Sequence, residues 1–204
     1  MFTVPTKIYE LSELIILHLQ GNQIANISPK IASMESLVEL NLTGNQLSSL
    51  PNELSLLHLK YLHLASNTFV SFPKDFKFPV SLETLDLNHN RLTSLSNTIA
   101  NCTSLKHLSL WGNQLSDLPE SLANLSQMES LSLQHNNFTE FPSVVIKLNK
   151  LTYLGLHDNR IKNLPSEVSN MTNLKALHLG GNPIPPEQIE KLRKILPNCK
   201  ITFK

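Results

Sequence analysis

Residues 105–115 read Leu105-Lys106-His107-Leu108-Ser109-Leu110-Trp111-Gly112-Asn113-Gln114-Leu115, and the spacing within this stretch decides the fold. The same arrangement, Leu-x-x-Leu-x-Leu-x-x-Asn-x-Leu, recurs along the whole chain. Its asparagines are 23 residues apart except for one interval of 22, and they stand at Asn22, Asn45, Asn67, Asn90, Asn113, Asn136, Asn159 and Asn182. A fixed period of this length indicates a stack of similar coils, each of which buries its apolar face against its neighbours.

Each repeat contains a pattern typical of one short strand. Its apolar residues alternate with polar ones, as expected for a strand with one buried face, and stacking the coils places these strands side by side in a parallel sheet. The repeated asparagine carries both a donor and an acceptor, so we expect it to satisfy buried loop amides and carbonyls between coils. The second half of the repeat usually begins Leu-Pro, which favours an extended or short helical segment on the outer surface. Serine replaces the proline at Ser28 and Ser96.

These repeats resemble the leucine-rich repeat family over residues 1–204. The resemblance implies an α/β solenoid, a horseshoe with a concave parallel β-sheet, short helical turns on the convex side and a C-terminal capping helix. We predict a single domain, in which residues 1–13 form a half-repeat that covers the first strand. Residues 14–182 then form the repeats, and residues 183–204 form the C-terminal cap.

The end of the chain departs from the repeat. Glu187 to Leu196 has the pattern of a helix with one apolar face, formed by Ile189, Leu192, Ile195 and Leu196. The segment from Leu196 to Ile201 is similar to the C-termini of bacterial leucine-rich repeat proteins, notably leptospiral ones. That likeness implies an exported or surface protein of a bacterium that binds another protein. The alternative is a cytoplasmic signalling adaptor, which would resemble the Ras-group or phosphatase-regulating repeat proteins.

The composition argues against several other classes of function. Charged residues are 16% of the chain, the net charge is +1, and the 17 lysines and arginines are spread over all repeats. We therefore predict no nucleic-acid partner, because no basic stripe is available for phosphates. Every apolar run is interrupted by polar residues, which predicts no membrane insertion. We expect a monomer or a weak end-to-end dimer, since the two end strands leave unpaired edges.

Candidate contacts are expected at solvent-facing positions of the strands, because the repeated residues pack the scaffold. Equivalent side chains in neighbouring strands lie about 4.8 Å apart. We expect one band across the middle of the concave face, formed by Tyr61, His63, Asp86, Asn88, Arg91, His107, Ser109, Trp111, His135, Tyr153 and His157. Trp111 is its predicted centre, because tryptophan commonly anchors protein interfaces and this one occupies an unburied position. The alternative is an ordinary solvated surface, on which single exposed aromatic residues are common.

Histidines are concentrated on the same face, which raises the question of metal binding. His135 and Asp158 hold the same position in adjacent repeats with His157 beside them, a separation compatible with sharing an ion. No short-spaced His or Cys motif supports such a site, so we predict no metal and no other cofactor. A second hypothesis is that protonation of these histidines below about pH 6.5 makes the face cationic and alters binding.

Catalysis by the same face is a weaker hypothesis. Asp86, His107 and Ser109 supply the residue types of nucleophilic chemistry. An open sheet, however, offers no evident oxyanion hole and nothing that excludes water. We therefore predict a binding protein that is not an enzyme, with a protein as its partner.

Two further residue types lead to specific expectations. Cys102 and Cys199 are predicted four strands apart, about 19 Å, which is too far for a disulfide. The third repeat is rich in phenylalanine, with Phe69, Phe72, Phe76 and Phe78. Most of these fit core positions, but Phe78 is out of phase with them. It either repacks locally or is exposed on the convex side.

Overall fold

The computed structural model describes residues 1–203 and contains nine short parallel strands, joined in chain order into one open sheet. The strands are β1 (Ile16–His18), β2 (Glu39–Asn41), β3 (Tyr61–His63), β4 (Thr84–Asp86), β5 (His107–Ser109), β6 (Ser130–Ser132), β7 (Tyr153–Gly155), β8 (Ala176–His178) and β9 (Lys200–Thr202). All neighbours are in register, so that Leu85, Leu108 and Leu131 lie opposite one another. The predicted solenoid with a concave parallel sheet is confirmed.

The central residue of each strand points into the core. In β5, Leu108 is buried, while His107 and Ser109 lie on the concave side. Because side chains alternate along a strand, the same split recurs in every coil. The outward positions are therefore those that the sequence pattern predicts.

The asparagine ladder joins each coil to the one before it. The side chain of Asn113 donates to the carbonyls of Leu87 and Leu110 at 3.0 Å each, and its Oδ1 accepts from the amide of Leu92 at 3.0 Å. Equivalent bonds recur from Asn45 to Asn182. These buried side-chain amides satisfy backbone N–H and C=O groups that have no partner in the sheet, because the chain turns sharply there.

Short 3-10 turns form most of the convex surface, as predicted. They span Thr6–Glu10, Pro29–Ser33, Asn52–Leu56, Asn97–Asn101, Glu120–Asn124, Ser143–Lys147 and Ser166–Asn170. Most begin directly after a proline, whose fixed φ leads the chain into the turn. Where serine replaces that proline, the hydroxyl caps the turn instead: Ser28 accepts from the amide of Lys30, and Ser96 from that of Thr98, at 3.3 Å each.

The coil between β3 and β4 is built differently. It contains no 3-10 turn, and aromatic side chains fill the space behind the sheet. Phe78 is buried, with its ring centroid 4.9 Å from those of Phe72 and Phe76. Local repacking is therefore the correct interpretation of this phenylalanine, and exposure on the convex side is wrong. In this coil the large phenylalanine rings fill the space that a 3-10 turn and smaller side chains fill in the other coils.

A helix, α1 (Pro186–Ile195), covers the last coil. Ile189, Leu192 and Leu196 are buried as predicted, but Ile195 is 44% exposed, so its assignment to the apolar face is wrong. The reason is that the helix ends at Ile195. Leu196 leaves helical geometry with φ −114° and turns inward in its place.

The strand β9 follows the helix and lies within the predicted cap, where it adds one more strand to the sheet. Ile201 lies opposite Leu177 of β8, in the same parallel register as the other strands. The edges of the sheet are thus β1 and β9. Within residues 1–203, no helix is both long and apolar enough to cross a membrane. Cys102 and Cys199 are free and buried, in agreement with the predicted separation.

Candidate functional site

Side chains from the turns that follow β4 to β7 meet along one edge of the concave face. The ring centroids of His89 and Trp111 are 4.2 Å apart, and those of Trp111 and His135 are 5.8 Å apart. The ring of His157 follows at 5.3 Å from His135. Asp158 completes the group, since its Oδ2 lies 3.2 Å from Nε2 of His135. We refer to these five residues as the edge cluster.

The backbone of these turns determines where the side chains point. His89, His135 and Asp158 have φ values of 51°, 51° and 53°, in the left-handed region. Glycine occupies the equivalent position at Gly21, Gly44, Gly112 and Gly181. A residue with a Cβ costs roughly 1 kcal/mol in this conformation, although Asp and His tolerate it better than most. The edge cluster is thus placed where the scaffold itself favours glycine.

Trp111 is held through its backbone and leaves much of its ring exposed. Its amide donates to Oδ1 of Asn88 at 2.8 Å, and the Asn88 amide in turn donates to Oδ1 of Asp86 at 3.0 Å. The indole is 37% exposed. Asp86 and Asn88, both predicted as contacts, therefore position the tryptophan backbone. One side-chain oxygen of each residue is used in these bonds.

Tyr153 belongs to a second group on the same face. Its ring centroid lies 5.2 Å from that of His178, and its hydroxyl accepts from Nε2 of Gln134 at 2.9 Å. Gln134 is only 6% exposed because it lies across Gly155, where a Cβ would come within 2.0 Å of the amide nitrogen. Its Oε1 is buried without a hydrogen-bond partner. The concave face thus has a buried polar group beside the edge cluster.

The other predicted residues surround these two groups. Tyr61 and His107 occupy equivalent strand positions, separated by the strand β4 between them. His63 lies beside Asp86 in the strand register. Arg91 follows the ladder asparagine and is exposed, and among residues 1–203 it makes no side-chain hydrogen bond or ring contact with the edge cluster.

Four residues of these two groups are missing from the predicted band: His89, Gln134, Asp158 and His178. The sequence signal for His89 is its position, which is the same position in the repeat as that of His135. His178 occupies the same strand position as His63. Gln134 could not be found in this way, because its burial depends on the absence of a side chain at Gly155 in the next coil.

The surroundings of one histidine of the face, His157, shift its pKa. Burial lowers the pKa of His157, and this effect outweighs the opposing attraction of Asp158. Burial therefore favours the neutral form of the His157 imidazole. The side chains of His135, His157 and Asp158 each offer one donor atom, and these three atoms lie within 4.8 Å of one another.

The residues once considered for catalysis are not assembled. The Asp86 carboxylate accepts from the backbone amide of Asn88. Within residues 1–203, no hydrogen bond joins the side chains of Asp86, His107 and Ser109. Clefts of the molecule lie elsewhere, such as one of about 410 Å³ beside α1 that Pro165, Lys191 and Ile195 help to line.

Comparison with protein families agrees with the fold. Models described as "Leucine rich repeats (2 copies)", "Leucine rich repeat" and "Leucine-rich repeat region" match residues 12–52, 57–115 and 97–196. No curated protein matches the chain in a sequence search. Leucine-rich repeat domains generally mediate protein–protein binding and are typically non-enzymatic scaffolds, and no catalytic family matches the chain.

Solved structures give the same result. A leucine-rich repeat protein of Leptospira interrogans is 35% identical, with a TM-score of 0.80 over 98% of this chain and 57% of that protein. The functional domain of InlJ from Listeria monocytogenes is 22% identical, with a TM-score of 0.75 over 95% of this chain and 40% of that chain, and shows the fold alone.

A third structure is an octameric complex of latrophilin 3, Unc5D and the leucine-rich repeats of FLRT2. The matched chain of that complex is 27% identical to this chain, with a TM-score of 0.81 over 95% of this chain and 61% of the matched one. This chain therefore spans less than two thirds of the length of each of these structures. The repeats, the single sheet and these matches show that the chain belongs to the leucine-rich repeat family and resembles a leptospiral member.

Proposed function

We propose that the chain binds a protein partner through its concave face, with Trp111 at the centre of the contact. The observation that carries this proposal is the partly exposed indole in a face of rigid, hydrogen-bonded backbone. A large aromatic side chain fixed in this way loses little conformational entropy on binding, which is why such residues commonly become interface hot spots.

The shape of the face favours a macromolecule over a small ligand. Nine strands at about 4.8 Å spacing give an open surface roughly 38 Å long. Small molecules prefer enclosed pockets, whereas an open surface of this size matches a protein interface. The leucine-rich repeats of FLRT2 occur in an octameric complex with latrophilin 3 and Unc5D, which supports the same use of this fold.

The biological setting that we propose is a bacterial exported or surface protein. It rests on the 35% identity to the Leptospira protein and on the similar C-terminal segment. Protease treatment of intact source cells, followed by detection of the chain with an antibody, tests the location. Degradation supports surface exposure. Full protection, together with recovery from the cytosol, would favour the intracellular signalling adaptor instead.

The binding site is tested with the variant Trp111→Ala. A partner is first captured with wild-type protein, purified, and measured by titration against wild type and variants. Loss of a central hot spot typically costs about 2 kcal/mol or more, so we expect the Kd to rise at least ~30-fold. Circular dichroism checks that the variant is folded, since Trp111 packs on the surface and leaves the leucine core intact.

Leu56→Ala is the matched control. Leu56 is also a large exposed apolar residue, 67% accessible, but it lies in the turn Asn52–Leu56 on the convex side. Its removal should change the Kd less than ~2-fold. Equal binding by wild type and Trp111→Ala would refute the concave-face site. A loss confined to Leu56→Ala would move the contact to the convex surface.

A further inference from the structure

We propose that His135, His157 and Asp158 form a binding site for a divalent transition metal of the zinc class. The site lies at the exposed end of the edge cluster and does not depend on the proposed protein partner. Two imidazole nitrogens and one carboxylate oxygen are the donor types that zinc accepts in three-ligand sites, in which water or an outside ligand supplies the fourth position.

The distances between donor atoms suit a shared ion. Oδ2 of Asp158 lies 3.2 Å from Nε2 of His135 and 3.8 Å from Nε2 of His157. Donors around a tetrahedral zinc ion are about 3.4 Å apart, given bonds of roughly 2.0–2.1 Å. All three donor atoms lie within 4.8 Å of one another. Side-chain rotations that move the donor atoms by about an ångström would therefore bring all three within coordination distance of one ion.

The backbone holds these side chains in place before any ion binds. The amide of His135 donates to the carbonyl of His157 at 3.0 Å, and that of Asp158 to the carbonyl of Gly180 at 2.8 Å. The Asp158 carboxylate lies over Gly181, where a Cβ would come within 2.2 Å of Oδ1. The glycine in the next coil thus leaves room for the carboxylate. Preorganised ligands reduce the entropy lost on binding.

The backbone conformation of two ligands fits the proposed site but does not by itself require an ion, because Ser66 and His89 have the same positive φ outside the site. His135 and Asp158 have positive φ at a position where four other repeats have glycine. Glycine would remove a cost of roughly 1 kcal/mol at each site. An ion pair on the surface contributes too little to offset that cost, with typical values of about 0–1 kcal/mol. Metal coordination gives both residues a role that glycine cannot perform.

His157 is suited to be the third protein ligand of the ion. It is the least exposed of the three side chains, with 37% accessibility. Its Nε2 lies on the same side as the donor atoms of His135 and Asp158, all within 4.8 Å of one another. The edge of the sheet leaves the fourth position open to solvent, and a His or carboxylate from another protein could occupy it.

The test uses glycine substitutions, because glycine is the residue that other coils have at this position. Zinc is titrated calorimetrically into untagged, chelator-treated protein. We expect one ion per chain for wild type, and His135→Gly and Asp158→Gly should each weaken binding at least ~10-fold, since loss even of an indirect partner costs about that much. Both variants should fold at least as well as wild type.

His89→Gly is the matched control. His89 has the same repeat position and the same left-handed backbone, and it also touches Trp111, but it lacks a neighbouring carboxylate at this distance. Its zinc affinity should stay within about 2-fold of wild type. The single tryptophan supplies a second readout, because Cu²⁺ held at His135 lies near the Trp111 ring and quenches its emission.

Three outcomes would overturn the metal site. One is no stoichiometric zinc binding by wild type, which leaves the cluster as an ordinary ion pair. The second is equal zinc affinity in wild type and the two ligand variants. The third is an equal loss in His89→Gly, which would mean that histidines of the face bind zinc without a defined site. None of these outcomes affects the Trp111→Ala test when partner binding is titrated in a buffer that contains a chelator.

Discussion

Replacing a buried ladder asparagine should destabilise the solenoid much more than replacing the half-buried one at its start. In Asn113→Ala, the amide of Leu92 loses its only hydrogen-bond acceptor in the interior. The carbonyls of Leu87 and Leu110 each lose one of two side-chain bonds, since Asn90 still donates to Leu87 and Asn136 to Leu110. An orphaned buried amide costs about 1–3 kcal/mol and each lost bond about 0.5–1.5 kcal/mol, so we expect a loss near 3 kcal/mol.

Asn22→Ala is the comparison that isolates the effect of burying the ladder asparagine. Asn22 stands at the same repeat position, but its Oδ1 accepts from the chain's terminal amine, and no interior amide depends on it. Its replacement should cost under about 1 kcal/mol. Urea unfolding followed by circular dichroism measures both variants. If Asn113→Ala loses no more stability than Asn22→Ala, the ladder is not what satisfies the buried backbone, and the argument fails.

Two further predictions concern ionisable groups. Glu83 accepts hydrogen bonds from Lys106 and Lys60, which lower its pKa below the ordinary value of 4.5, so its contribution to stability is present above that pH and is lost as the pH falls through the lowered pKa. Thermal melting should therefore show Glu83→Gln less stable than wild type at pH 7, with the difference shrinking as the pH is lowered below 4.5, whereas a difference that stays constant with pH would contradict the ion-pair mechanism. Burial raises the pKa of the Cys102 thiol to about 12 and that of Cys199 in the same direction. A thiol reagent at pH 8 should accordingly label neither cysteine until urea unfolds the chain, and rapid labelling of the folded protein would show that one of them is accessible.

The sequence predicts the strands well because the repeat constrains them. Leu108 and its equivalents can satisfy the period only as inward residues, and eight copies of the pattern fix the register. The strand β9 could not be predicted in this way. Ile201 and Phe203 follow the inward spacing, but Asn198 stands where the motif has its first leucine. Arg193 of the helix α1 also donates to the carbonyl of Ile201 at 3.4 Å, a contact that does not belong to the repeated pattern.

The site is less predictable because side chains on a surface take their direction from local backbone and from neighbouring coils. The repeat register correctly makes Trp111, His135 and Tyr153 outward residues. It does not show that Tyr153 pairs with Gln134 and His178 while Trp111 stacks with His89. The first pairing requires the space above Gly155, and the second requires left-handed turns. Neither condition belongs to the repeated pattern.

The left-handed positions therefore distinguish scaffold from function within one repeat. Four coils have glycine there, which is the least strained choice, and four have a side chain, at Ser66, His89, His135 and Asp158. Three of the four side chains belong to the edge cluster. A solenoid distributes its stability over many similar interfaces, so it tolerates a cost of about 1 kcal/mol in a few turns without losing the fold. Because glycine restores the favoured backbone at each of these positions, a loss of binding in a glycine variant cannot be attributed to a weakened scaffold.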